Sequence, residues 1–144
     1  MDATGKTLLI EDNEDHALLV QSALGDVAPR SVVWLRDGEE ALRYLTEGAA
    51  SGDGVAHPPE LILLDMHLPK VSGKEVLRRL RARDALRATP VVMLTTSNDQ
   101  ADVAECYALG ANSYVVKPGQ FEDLSRKLQA IGAYWCGTNQ IRRS

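Results

Sequence analysis

Glu11, Asp12, Asp65, Thr95 and Lys117 each stand at the end of a short apolar run. Glu11 and Asp12 follow residues 7–10, Asp65 follows Leu61–Leu64, Thr95 follows residues 91–94, and Lys117 follows Ser113–Val116. Singly, each has an ordinary reading: a cap, a strand-end hydroxyl, a surface lysine. Together they suggest one chemistry. Three carboxylates at one place repel unless a cation joins them. Hard oxygen donors, with no His or Cys in the set, suit Mg²⁺, which keeps several waters and takes one or two carboxylates. A carboxylate can also attack phosphorus and give an aspartyl phosphate. The transferring phosphoryl then needs positive charge and donors around its oxygens. Mg²⁺, the Lys117 ammonium and the Thr95 hydroxyl would supply them.

The five must converge for this to work, and the rest of the chain says how. A short apolar run bounded by turn residues reads as a strand buried on both faces. Pro58 and Pro59 close off the start of the run before Asp65, and Pro69 follows its end. Strands are expected at 7–10, 31–35, 61–64, 90–94 and 113–116. Helical periodicity predicts helices at 16–24 (ended by Gly25), 39–46, 72–83, 99–109 (ended by Gly110) and 121–135. Residues 48–59 read as a surface loop. The arginines 78, 79, 81 and 83 read as a solvated helix face. Alternation of strand and helix predicts an α/β fold, a doubly wound parallel sheet. Right-handed crossovers leave a flavodoxin-like (βα)5 arrangement in strand order 2-1-3-4-5 as the simplest layout. In such a sheet the carboxyl ends of the strands share one edge, where ligands bind.

Composition bounds the function. The 144 residues suffice for one domain, residues 1–144 with a core at about 6–135 and a tail at 136–144. A net charge of -4 disfavours nonspecific nucleic-acid binding, and no apolar stretch is long enough for a membrane span. No signal peptide is visible, and Cys106 and Cys136 form no CxxC pair, so a cytoplasmic protein with reduced thiols is expected. His16, His57 and His67 match no zinc spacing and read as surface or loop residues.

The stretches Leu-Leu-Ile-Glu-Asp-Asn at 8–13, Leu-Ile-Leu-Leu-Asp-Met-His-Leu-Pro at 61–69 with Gly73, Val-Val-Met-Leu-Thr at 91–95 and Gly-Ala-Asn-Ser-Tyr-Val-Val-Lys-Pro at 110–118 resemble a two-component response-regulator receiver domain. Residues 94–99 and 133–138 resemble single-domain regulators associated with bacterial phytochromes. The resemblance implies a phosphoacceptor switch that is not a metabolic enzyme. It would take a phosphoryl group from a sensor histidine kinase, a bacteriophytochrome in the narrower group, and signal through protein contacts. It further implies Asp65 as phosphoacceptor, Asp12 as Mg²⁺ ligand with Glu11 helping directly or through water, and the backbone carbonyl of His67 completing the set. Thr95 and Lys117 would contact the phosphoryl group. Tyr114 would reorient with Thr95, and the Lys117 to Pro118 bond would be cis. Thr96 is bulkier than the small residue common there, and His67 and Ser97 occupy variable positions. A phosphorelay intermediate and an unphosphorylated interaction module are the alternatives on this fold. A hydrolase with an Asp nucleophile would want a second acid two residues after Asp65, where His67 stands. A homodimer is expected through the last helix and its neighbours. Tyr134 and Trp135 would be its anchors, Cys106, Tyr107 and Leu109 its extension, while Phe121, Leu124, Leu128 and Ile131 pack on the sheet.

Overall fold

The computed structural model describes residues 6–27, 31–50 and 58–140. Strands β1 (Lys6–Ile10), β2 (Ser31–Leu35), β3 (Leu61–Leu64), β4 (Val91–Thr95) and β5 (Ser113–Val116) alternate with helices α1 (Glu14–Val27), α2 (Gly38–Ala50), α3 (Gly73–Arg81), α4 (Gln100–Ala108) and α5 (Phe121–Ala133). The strands form one parallel sheet in the order β2-β1-β3-β4-β5. The expected topology is therefore observed.

Alternation along each strand divides the core in two. Leu8, Ile10, Ile62, Leu64, Val91 and Met93 face α2, α3 and α4 through Ala41, Leu45, Val76, Leu77, Leu80 and Cys106. Leu9, Leu61, Leu63, Val92 and Leu94 face α1 and α5 through Ala17, Val20, Ala23, Leu24, Leu124, Leu128 and Ile131. Because successive side chains of a strand point to opposite faces, an unbroken apolar run serves both layers. Each fully buried Leu contributes about 1.5–3 kcal/mol. This two-sided burial fixes strand register, and with it the carboxyl edge.

Several local expectations need correction. Helix α1 runs through Gly25 to Val27. A Cβ at Gly25 would meet nothing within 4 Å, so no packing requires a stop there. Phe121 is exposed rather than packed on the sheet. Helix α2 includes residues 48–50 of the expected loop; the loop's residues 51–57, with His57, lie outside the described residues. Ser72 and Asp99 are N-caps, accepting from the Glu75 and Ala101 amides, so α3 and α4 begin one residue later than expected. Helix α5 gives way after Ala133 to a wider π turn, Tyr134–Thr138. A 3-10 turn, Asp84–Leu86, was not anticipated.

Arg81 is not part of a solvated face. It donates to the carbonyls of Gly110, Leu86 and Thr89 and to Asn112 Oδ1, tying α3 to the loops flanking β4. Arg78 and Arg79 do face solvent, where both pair with Glu75. No peptide bond among the described residues is cis, so Lys117 to Pro118 is trans, the intrinsically favoured isomer.

Candidate functional site

The strand ends bring the five residues together. Backbone bonds from Glu11 N–H to Leu35 O and from Asp65 N–H to Ile10 O, both 3.0 Å, carry the sheet register into the loops that follow β1 and β3. Oxygens of Glu11, Asp12 and Asp65 lie within 4.8 Å of one another. Glu11 and Asp65 are buried, whereas Asp12 is exposed at the mouth. Lys117 enters from the end of β5 and is also buried. Its Nζ lies 2.6 Å from Glu11 Oε1 and 3.5 Å from Asp65 Oδ2. A buried ammonium requires such partners, since an uncompensated charge in the interior costs several kcal/mol. Burial pushes the Glu11 carboxyl up to about 7, with the Lys117 ammonium pulling the other way.

Thr95 ends β4 with no accessible surface. Its Oγ1 is the one buried side-chain polar atom among the described residues without a hydrogen-bond partner. A native buried hydroxyl usually has a partner, and this one sits at the strand end between the Asp65 and Lys117 positions. His67 is exposed, and its N–H donates to Asp65 Oδ1 at 3.2 Å. Gly73 opens α3 against this loop. A Cβ there would stand 2.1 Å from the Asp65 carbonyl oxygen, so the close approach of helix and acid needs a residue without one.

Tyr114 lies on β5 away from the acids. Its hydroxyl donates to the Ser97 carbonyl at 2.9 Å. Ser97 Oγ donates to Asp102 Oδ2 at 2.6 Å, and Lys74 Nζ donates to Asp102 Oδ1 at 2.8 Å and Glu105 Oε1 at 2.6 Å. The loop after Thr95 is thereby tied to α3, α4 and β5. The two carboxylates hold the Lys74 pKa above its ordinary value, and the lysine holds that of Asp102 below its own.

Sequence reasoning missed two residues. Lys74 went unremarked, and His16 was read as a surface residue. His16 is half-buried, with Nδ1 3.0 Å from Lys117 Nζ. The signal available for His16 was its place three residues after Asn13, whose Oδ1 caps α1 by accepting from the His16 amide at 3.0 Å.

The donor set fits a hard divalent cation: carboxylate oxygens from adjacent strand ends, one exposed acid, and no nitrogen or sulfur ligand. Oxygen ligands, a buried lysine and an unpartnered hydroxyl thus stand together at the carboxyl edge of a doubly wound sheet.

The comparisons agree. The family model for the response regulator receiver domain matches residues 7–129, and the chain belongs to that family. It is thus a phosphoacceptor switch of two-component signalling. A probable methanogenesis regulatory protein, FilR2 of Methanothrix harundinacea, is 43% identical over 92% of this chain and 84% of its own. The phosphorylated cyanobacterial phytochrome response regulator RcpA superposes with a TM-score of 0.90 at 36% identity, covering 98% of this chain and 100% of its own. The Mn²⁺-bound response regulator Rcp1 superposes with a TM-score of 0.88 at 35% identity, covering 96% and 99%. No helix among the described residues is long and apolar enough to cross a membrane.

Proposed function

We propose that Asp65 is the phosphoacceptor and takes its phosphoryl group from a phosphohistidine of a sensor histidine kinase. An Asp65 carboxylate oxygen attacks phosphorus, the O–P bond forms, and the P–N bond to the kinase imidazole breaks with the electron pair left on nitrogen. The observation that carries this reading is the position of Lys117, whose buried ammonium is shared between Glu11 and Asp65 at 2.6 and 3.5 Å. Lys117 supplies positive charge to the incoming oxygens, and the Thr95 hydroxyl supplies a donor to one of them. Asp12, Asp65 and the backbone carbonyl of His67 would hold Mg²⁺, with Glu11 aiding directly or through water. The ion would neutralise charge developing on the phosphoryl oxygens. A Mn²⁺-bound relative supports a divalent ion at this kind of site.

The partner kinase is of the phytochrome type, a reading supported by the likeness to RcpA. The receiver domain acts in the cytoplasm and signals through protein contacts. The likeness to the response regulators RcpA and Rcp1 supports a signalling role of this kind.

Incubation with acetyl phosphate and Mg²⁺, followed by intact and peptide mass, tests the site. Wild type should gain the mass of one phosphoryl group on the peptide that contains Asp65. Asp65→Asn should stay unlabelled while keeping its fold, and undiminished labelling of that variant would sink the assignment. Asp12→Asn should weaken Mg²⁺ binding, because it removes a ligand charge and keeps the shape; unchanged affinity by titration calorimetry would contradict it.

A further inference from the structure

We propose that His16 is a positioning residue that orients the Lys117 ammonium toward Asp65. The inference rests on the reading of Asp65 and Lys117 given above. An ammonium has three hydrogens and no acceptor. Lys117 directs Nζ to Glu11 Oε1 at 2.6 Å and to His16 Nδ1 at 3.0 Å, and its remaining neighbour is Asp65 Oδ2 at 3.5 Å. Since lysine can only donate, Nδ1 must accept, which fixes the imidazole as the neutral Nε2–H tautomer. Burial, followed by the nearby ammonium, lowers the His16 pKa from its ordinary value, in keeping with a neutral ring.

Both acceptors hang on one turn of chain. The Asn13 N–H donates to Glu11 Oε2 at 3.1 Å, and the His16 N–H donates to Asn13 Oδ1 at 3.0 Å. The start of α1 therefore sets Glu11 and His16 relative to each other, and the pair sets two of the three N–H directions of Lys117. The third is left for Asp65, whose Oδ2 stands 3.5 Å away. With His16 gone, Glu11 would be the one close hydrogen-bond partner left beside the longer ion pair with Asp65, and the ammonium could turn about that bond. Orientation set before the reaction is what lowers the barrier.

The test is the initial rate of aspartyl phosphate formation from acetyl phosphate and Mg²⁺ in wild type, His16→Leu and His16→Asn. The labelled residue is mapped by peptide mass and the melting temperature is recorded beside it. His16→Leu should slow labelling about tenfold, the scale of one hydrogen bond to a charged group. His16→Asn, whose amide oxygen reaches the place of Nδ1, should recover most of that rate. A purely structural role would not separate two variants of equal melting temperature. Should His16→Leu fail to fold, ¹⁵N NMR of the wild-type imidazole decides: Nδ1 should be unprotonated, and its resonance should move in Lys117→Met. A wild-type rate in His16→Leu, no recovery in His16→Asn, or a protonated Nδ1 overturns the proposal. Labelling that maps away from Asp65 in wild type would instead overturn the phosphoacceptor reading, so the two failures are distinguishable.

Discussion

Thr95 shows how the site trades stability against chemistry at the scale of one residue. Its hydroxyl is wholly buried without a partner, and an unsatisfied buried hydroxyl costs about 1–3 kcal/mol. Valine has nearly the same shape, is β-branched and suits a strand. Thr95→Val should therefore raise the stability of the unphosphorylated protein by about 1 kcal/mol while slowing labelling by acetyl phosphate. Urea unfolding beside the labelling rate checks both signs; a destabilised variant would mean that the hydroxyl has a partner after all. The five residues Glu11, Asp12, Asp65, Thr95 and Lys117 were legible in the sequence for a physical reason. Each ends a strand, and parallel topology carries all strand ends to one edge. His16 was not legible, because its approach to Lys117 depends on the rotation of α1 and on a side-chain rotamer, which apolar patterning does not encode.

At the scale of elements, strands were easier to read than helix ends. Strand limits follow the short apolar runs, which mark them within a residue. Helix ends depend on caps and on what the next residue meets. Gly25 did not stop α1, and the π turn after Ala133 had no pattern to announce it. The loop between β4 and α4 is held by side chains from three elements, and that too was beyond periodicity. Tyr114 holds the Ser97 carbonyl, Asp102 holds the Ser97 hydroxyl, and Lys74 on α3 holds Asp102. The Asp99 N–H also donates to Ser97 Oγ at 3.3 Å. Because these groups are near solvent, the chain of bonds matters more for loop position than for global stability. Asp102→Ala should release the loop with little change in melting temperature. The Asp99 amide should exchange faster, and the NMR resonance of a fluorinated Tyr114 should shift as the ring loses its fixed acceptor. If neither moves, the loop is held by something other than this chain of bonds.

The whole molecule leaves one end of its sheet to account for. Strand β5 is an edge strand, half-buried along its length. Beside it lies a groove of about 430 Å³ lined by Val115, Lys127, Ile131, Tyr134 and Trp135. The rings of Tyr134 and Trp135 meet edge to face at 5.0 Å. Their roles separate: Trp135 packs on the core between α1 and α5, while Tyr134 is 49% exposed and is the aromatic available to a partner. Tyr107 on α4 is also exposed, but Cys106 is wholly buried and cannot extend such a patch. An unpaired strand edge with an exposed aromatic beside it suits a symmetric contact with a second copy, in which the same patch meets itself. A homodimer through the last helix would be carried best by Tyr134 and the β5 edge, with Trp135 as support. Tyr134→Arg should drive the protein toward monomer, because it sets like charges against each other across a twofold axis without removing core packing. Trp135→Ala is the poorer probe, since it removes an aromatic packed against the core and would blur assembly with folding. Light scattering on wild type and Tyr134→Arg, with and without beryllofluoride as a phosphoryl mimic, reads the outcome. A wild type that stays monomeric at about tens of micromolar in both states would rule out the dimer at any affinity tighter than that range.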